Sequence, residues 1–124
     1  MNIDHVNISA PVELLERVKA FYCEVLGMSV GYRPKLSSNG YWLYAGNQAL
    51  IHLVESNAHF RNEKPGYLDH FALRTSGLAE MLERMEEQQV DHRVKQIPET
   101  GVTQIFCKDP SGTGVEISFI NESR

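Results

Sequence analysis

The sequence predicts an α+β protein built from two βαβββ modules in tandem. The segment Asp4-His5-Val6-Asn7-Ile8 returns 65 positions later as Asp69-His70-Phe71-Ala72-Leu73, with the same Asp-His-apolar-x-apolar pattern. After each copy, apolar residues recur at spacings of three and four, the period of an amphipathic helix. After each helical pattern come three short β-type runs bounded by turn formers.

Module one is expected over residues 2–55. Its strand around Val6 and Ile8 leads into a helix carried by Val12, Leu15, Val18, Tyr22, Val25 and Leu26. Gly27 is placed to end that helix in a left-handed conformation. Strands follow at Met28–Arg33, Gly40–Ala45 and Gln48–Val54, the last two joined by a tight turn at Gly46-Asn47. The polar stretch 56–66 reads as a linker. In module two, 67–120, Leu78, Met81, Leu82 and Met85 mark the helix, with Gln88-Gln89 near its end. Strands are expected at His92–Gln96, Thr103–Cys107 and Gly114–Ile120, with Asp109-Pro110-Ser111-Gly112 as the turn before the last.

A chain of 124 residues is a prior for one domain. Its 42% hydrophobic and 23% charged residues are those of an ordinary globule, and no apolar run approaches the roughly 20 residues of a membrane span. Twelve Lys and Arg against sixteen Asp and Glu leave a net charge of −4. With no basic stripe, a phosphate backbone is a poor electrostatic match, so neither nucleic acid nor membrane is expected as a partner. The N-terminus has neither a basic n-region nor a long apolar run, which points to a cytoplasmic protein. Cys23 and Cys107 lie in apolar stretches and read as free buried thiols.

Strand phase selects the candidate site. Alternate residues of a strand face opposite sides, so Val6 and Ile8 share one face while His5 lies with Asn7 on the other. His70 repeats this beside Phe71 and Leu73. In the last strand of each module, His52 lies opposite Ile51 and Leu53, and Glu116 opposite Val115, Ile117 and Phe119. Taken singly, a strand histidine is ordinarily a hydrogen-bonded or half-exposed residue. A carboxylate in so apolar a strand is harder to place, because burying it is costly unless it is paired or metal-bound. Four such residues at repeat-equivalent positions make His5, His52, His70 and Glu116 the candidate metal ligands. Three imidazoles and a carboxylate suit Fe, Mn, Ni, Co or Zn better than Ca or Mg. His59 and His92 read as surface histidines. Tyr32, Tyr41, Trp42, Tyr44 and Phe106 either line a pocket or fill the core, and Arg33 and Arg74 are candidates for holding a substrate carboxylate.

These residues carry a family resemblance. Asp4-His5-Val6-Asn7-Ile8, Phe21-Tyr22-Cys23-Glu24-Val25-Leu26-Gly27-Met28, Asp69-His70-Phe71-Ala72-Leu73 and the Phe106–Glu116 ending resemble the vicinal oxygen chelate superfamily. That superfamily includes glyoxalase I, extradiol dioxygenases and the bleomycin-resistance proteins. The resemblance implies two modules curled into a partly open barrel around a divalent metal, with His5, His70 and Glu116 as ligands. His52 stands where glyoxalase I carries Glu or Gln. The remaining His-His-Glu set is similar to the iron triad of extradiol dioxygenases and the manganese triad of fosfomycin thiol transferases.

The implied chemistry is that of a metal-dependent lyase or isomerase resembling glyoxalase I. Such an enzyme binds a small substrate by two adjacent oxygens and stabilises an enolate or oxyanion, with Glu116 as catalytic base. A ring-cleaving dioxygenase, a thiol transferase and a non-catalytic drug-binding protein are the alternatives on the same scaffold. Resemblance also implies a homodimer, and an extended eleven-residue linker reaches at most ~35 Å, enough for pairing within or between chains.

Overall fold

The structure is a computed structural model that describes residues 1–58 and 68–124. The chain divides into two compact units, 1–64 and 65–124. His59 and residues 59–66 of the expected linker lie outside the described residues.

The first unit runs β1 (Val6–Ala10), α1 (Val12–Ala20), β2 (Ser29–Gly31), β3 (Gly40–Ala45) and β4 (Gln48–Glu55). Its sheet has the order β1-β4-β3-β2, with β1 and β4 parallel and the other pairs antiparallel. The second unit repeats it as β5 (His70–Arg74), α2 (Leu78–Glu87), β6 (His92–Ile97), β7 (Val102–Lys108) and β8 (Gly114–Ile120). Its order is β5-β8-β7-β6, again with the first and last strands parallel. The βαβββ repeat is thus present in both halves. A two-residue turn at Gly46-Asn47 joins β3 to β4, with Gly46 at φ +61° and Ala45 opposite Gln48.

Each unit buries one face of its sheet. Leu43, Ile51 and Leu53 are fully covered, as are Leu15 and Val18 of α1, which packs on β1 and β4. In the second unit Leu78, Met81 and Met85 of α2 are buried, together with Ile105, Val115, Ile117 and Phe119 of the sheet. The opposite sheet faces hold His52 and Glu116, as the period-two argument requires.

The first helix departs from the expectation. It is α-helical only to Ala20 and continues as a π turn over Phe21–Val25, where Leu26 N–H reaches back five residues to Phe21 O at 3.4 Å. The wider turn lets Phe21, Tyr22 and Val25 all turn inward. Gly27 then ends the helix at φ +79°, as its position suggested. Strand β2 is shorter than expected. Past Gly31 the chain folds back on itself, because the Arg33 guanidinium donates to Ser38 O (2.9 Å) and Ser38 Oγ (3.1 Å). Cys23 is only half-buried, which corrects its reading as a core thiol, whereas Cys107 is buried.

Helix α2 is held at both ends by backbone chemistry. Gly77 offers no side-chain cap, and the Glu122 carboxylate fills that role by accepting from Gly77 N–H (3.1 Å) and Leu78 N–H (2.9 Å). Thr103 Oγ in turn donates to Glu122 O at 2.6 Å. At the other end Gln89 takes φ +54°, with Gln89 N–H on Glu86 O and Val90 N–H on Met85 O, the bond pattern of a Schellman motif. Among the described residues no helix is long and apolar enough to cross a membrane.

Glu122→Gln should lower stability by about 1 kcal/mol, since it keeps the shape but removes the charge at the helix N-terminus; urea unfolding with an unchanged m value checks it. Burial pushes the Cys107 thiol up to about 11. In the native protein at pH 8, iodoacetamide should therefore label Cys23 and spare Cys107, with both labelled in denaturant; mass spectrometry reads the two outcomes.

Candidate metal centre

Each unit carries an equivalent corner of candidate ligands. In the first, the rung Asn7–His52–Trp42 crosses β1, β4 and β3, and His5 lies two residues before Asn7. The His52 ring is sandwiched, with its centroid 3.8 Å from that of His5 and 4.0 Å from that of Trp42, and its plane lies 10° from the first ring and 9° from the second. In the second, Ala72–Glu116–Phe106 is the matching rung and His70 matches His5. His70 Nε2 stands 3.4 Å from Glu116 Oε1, and the Phe106 ring meets the His70 ring edge-on.

Both module-opening histidines are oriented in the same way. Asp4 Oδ2 lies 2.7 Å from His5 Nδ1, and Asp69 Oδ2 lies 2.7 Å from His70 Nδ1. A carboxylate accepts, so Nδ1 is the donor of each ring and Nε2 is the nitrogen left for a metal. This is the carboxylate–histidine arrangement that orients metal-ligating imidazoles. The Asp69 bond raises the His70 pKa, the Glu116 charge adding to it and burial opposing it. Burial lowers the His52 pKa, and the neighbouring His5 adds to that.

Glu116 is held by one oxygen and presents the other. Its side chain is only 12% exposed, and Oε2 accepts from Ser118 Oγ (2.9 Å) and Gln104 Nε2 (3.1 Å). Oε1 faces His70 Nε2 across a gap too wide for a strong hydrogen bond. Two donor atoms each about 2.1 Å from one ion and separated by a tetrahedral angle stand ~3.4 Å apart. The donor types and this spacing fit a divalent first-row ion. Within either unit, among the described residues, no three His, Cys, Asp or Glu side chains gather as a ready metal group. The four expected ligands form two pairs, His5 with His52 and His70 with Glu116.

Other expected residues resolve by face. Trp42 and Phe106 lie on the ligand face, whereas Tyr41 hydrogen-bonds Glu16 of α1 on the helix face and Tyr44 OH bonds Tyr32 O. Arg33 is engaged with Ser38. His92 is half-buried, its Nδ1 2.8 Å from Val90 O, rather than a free surface residue. Asp4, Asp69, Gln104 and Ser118 are the supporting residues that sequence reasoning missed. An Asp directly before each repeated His was the available signal for the first two.

Glycine and turn chemistry place these groups. Asp109 Oδ1 accepts from Ser111 N–H (2.8 Å) and Thr113 N–H (3.2 Å), closing the turn that starts β8. Gly114 pairs with His70, and a Cβ on it would lie 2.5 Å from Asp69 O and 2.8 Å from His70 Cβ.

Two repeated βαβββ sheets, each with a histidine oriented by its neighbouring Asp and set beside a second donor, define a two-module protein. A family model described as Glyoxalase/Bleomycin resistance protein/Dioxygenase superfamily matches residues 2–117, and the chain belongs to that superfamily. No curated protein sequence matches it. A solved Bacillus anthracis structure assigned to the glyoxalase family is similar, at 28% identity and a TM-score of 0.75, over 97% of this chain and 95% of that one. The glyoxalase family protein of Enterococcus faecalis is similar at 26% identity and a TM-score of 0.68, over 94% and 96% of the two chains. Lactoylglutathione lyase of Agrobacterium tumefaciens shares the fold at 21% identity and a TM-score of 0.67, over 95% and 92%.

Gly114→Ala should displace His70 and weaken Ni or Zn binding by about tenfold or more, read by competition with a chromogenic chelator. Unchanged affinity would show that this close approach does not position His70.

Proposed function

We propose that the protein is a cytoplasmic, divalent-metal-dependent enzyme of the lyase or isomerase type. It acts on a small molecule gripped through two adjacent oxygens, with His5, His52, His70 and Glu116 as ligands in a single two-module domain. The observation that carries this reading is the repeated Asp–His pair, which engages Nδ1 and leaves Nε2 as the ligating nitrogen in each unit. An ion held there, Ni, Zn, Fe, Mn or Co, would supply positive charge where an enolate or oxyanion develops on the substrate.

The chain's own residues divide the remaining work. Asp4 and Asp69 fix the two imidazoles, so little reorganisation accompanies binding. Ser118 and Gln104 anchor Glu116 through Oε2, leaving Oε1 to take a proton from the substrate carbon and return it at the neighbouring position. The low exposure of Glu116 keeps bulk water from competing for that proton.

One observation favours a second reading. With His52 packed between Trp42 and His5, the set His5, His70 and Glu116 would act as a triad of dioxygenase or thiol-transferase type. A drug-binding protein without catalysis is the third. Metal analysis of protein grown without added metal separates them. Near-stoichiometric Ni or Zn supports the lyase or isomerase, Fe or Mn the triad enzymes, and no metal the binder. Under the first reading Glu116→Gln should leave the fold intact by circular dichroism and abolish turnover. An active variant would place the base elsewhere.

The assembly we propose is a homodimer in which the donor pairs come together across the two chains. Mixing inactive His5→Ala with inactive Glu116→Ala protein should then restore activity towards half per heterodimer. No recovery after subunit exchange would place all four ligands within one chain.

A further inference from the structure

On the sheet of the second unit, the face that carries Glu116 is also the unit's cationic face. The core-facing rung is Leu73–Ile117–Ile105–Val94, so the rungs on either side of it face the other way. One of these is Ala72–Glu116–Phe106–Arg93, and the other is Arg74–Ser118–Gln104–Lys95. Arg93 and Lys95 therefore project from the edge strand β6 onto the Glu116 face, two residues and about 6.8 Å apart. Both are exposed, and among the described residues neither makes an ion pair. Arg93 is also placed, with its guanidinium carbon 4.9 Å from the centre of the Phe106 ring, the ring that meets His70. In the first unit Gly31, across from Trp42, stands in the place of Arg93, and Arg33, the counterpart of Lys95, lies beyond the end of β2 with its guanidinium on Ser38. Two cations on one side of the proposed ligands, in a chain of net charge −4, are a local reversal of sign.

We propose that Arg93 and Lys95 bind an anionic group, carboxylate or phosphate, at the end of the substrate remote from the two oxygens gripped beside Glu116. The substrate is thus a small acid with an anionic tail, and this deepens the proposed function, on which it rests. Two cations on one strand suit a two-oxygen anion, and the Phe106 contact holds one of them before the ligand arrives. Arg74 sits alone on the far edge strand, three strands and about 14 Å away, and is not part of this clamp.

The probe is 2-oxoglutarate, which has a vicinal pair of oxygens and a distal carboxylate, compared with 2-oxopentanoate, which has the same head and a neutral end. With the protein loaded with its retained metal, or with Ni(II), calorimetry should show 2-oxoglutarate binding about tenfold more tightly, with the advantage shrinking as salt rises. The Arg93→Gln/Lys95→Gln double variant should lose that advantage and keep its affinity for 2-oxopentanoate. Equal affinities in the unaltered protein overturn the proposal. So does loss of the advantage in Arg74→Gln but not in the double variant. A metal-free arm separates this from the ligand reading. Inorganic phosphate should shift the amide resonances of Arg93 and Lys95, and the double variant should be silent. Absent shifts overturn the anion clamp whatever the metal does. Shifts with phosphate, together with no binding of either acid to the loaded protein, uphold the clamp and overturn the oxygen-chelating function.

Discussion

The parallel pairing of the first and last strands of each module governs the arrangement of everything else. A hairpin would have set neighbours in sequence side by side. The crossover through the helix instead sets β1 against β4 and β5 against β8, so residues 46 or 47 positions apart become neighbours on one face. His5 reaches His52 and His70 reaches Glu116 only because of this pairing. The buried side enforces it. Ile51 and Leu53, and Val115 and Ile117, are covered, and a slip of one residue would turn them to solvent and His52 and Glu116 into the core.

Much of this was legible in the sequence because period two leaves little freedom once one face is apolar. The faces of His52 and Glu116 followed from Ile51, Leu53, Val115 and Ile117 alone. The departures occur where the deciding contact is distant or the backbone is special. The π turn at Phe21–Val25 lies within a spacing pattern that an α-helix also satisfies. Strand β2 ends early because Arg33 finds Ser38, a pairing that propensity does not encode. The cap of α2 comes from Glu122, 45 residues away from Gly77, so no local motif announces it.

The supporting residues were hidden for a different reason. Asp4 and Asp69 were visible as repeated letters, but their role depends on a side chain reaching its own neighbour's ring, which strand phase does not address. Gln104 and Ser118 join Glu116 across the ladder and along the strand, so the register had to be known first. Arg74 was singled out from sequence, while Arg93 and Lys95 acquired meaning only when β6 was aligned on β7.

The close correspondence of the two registers also bears on descent. Val6 to Phe71 is an interval of 65 residues, Gly31 to Arg93 one of 62, and Trp42 to Phe106 and Ile51 to Val115 intervals of 64, so the copies differ by a net single residue of length up to their third strand. That difference must lie between the first and third strands, where helices and loops absorb it. This is the signature of a duplicated gene encoding one half-sheet module, with every later insertion or deletion tolerated only where no face would be inverted. Once fused, the copies no longer had to be identical. One corner could then gather aromatic rings around its second histidine while the other exchanged that imidazole for a carboxylate.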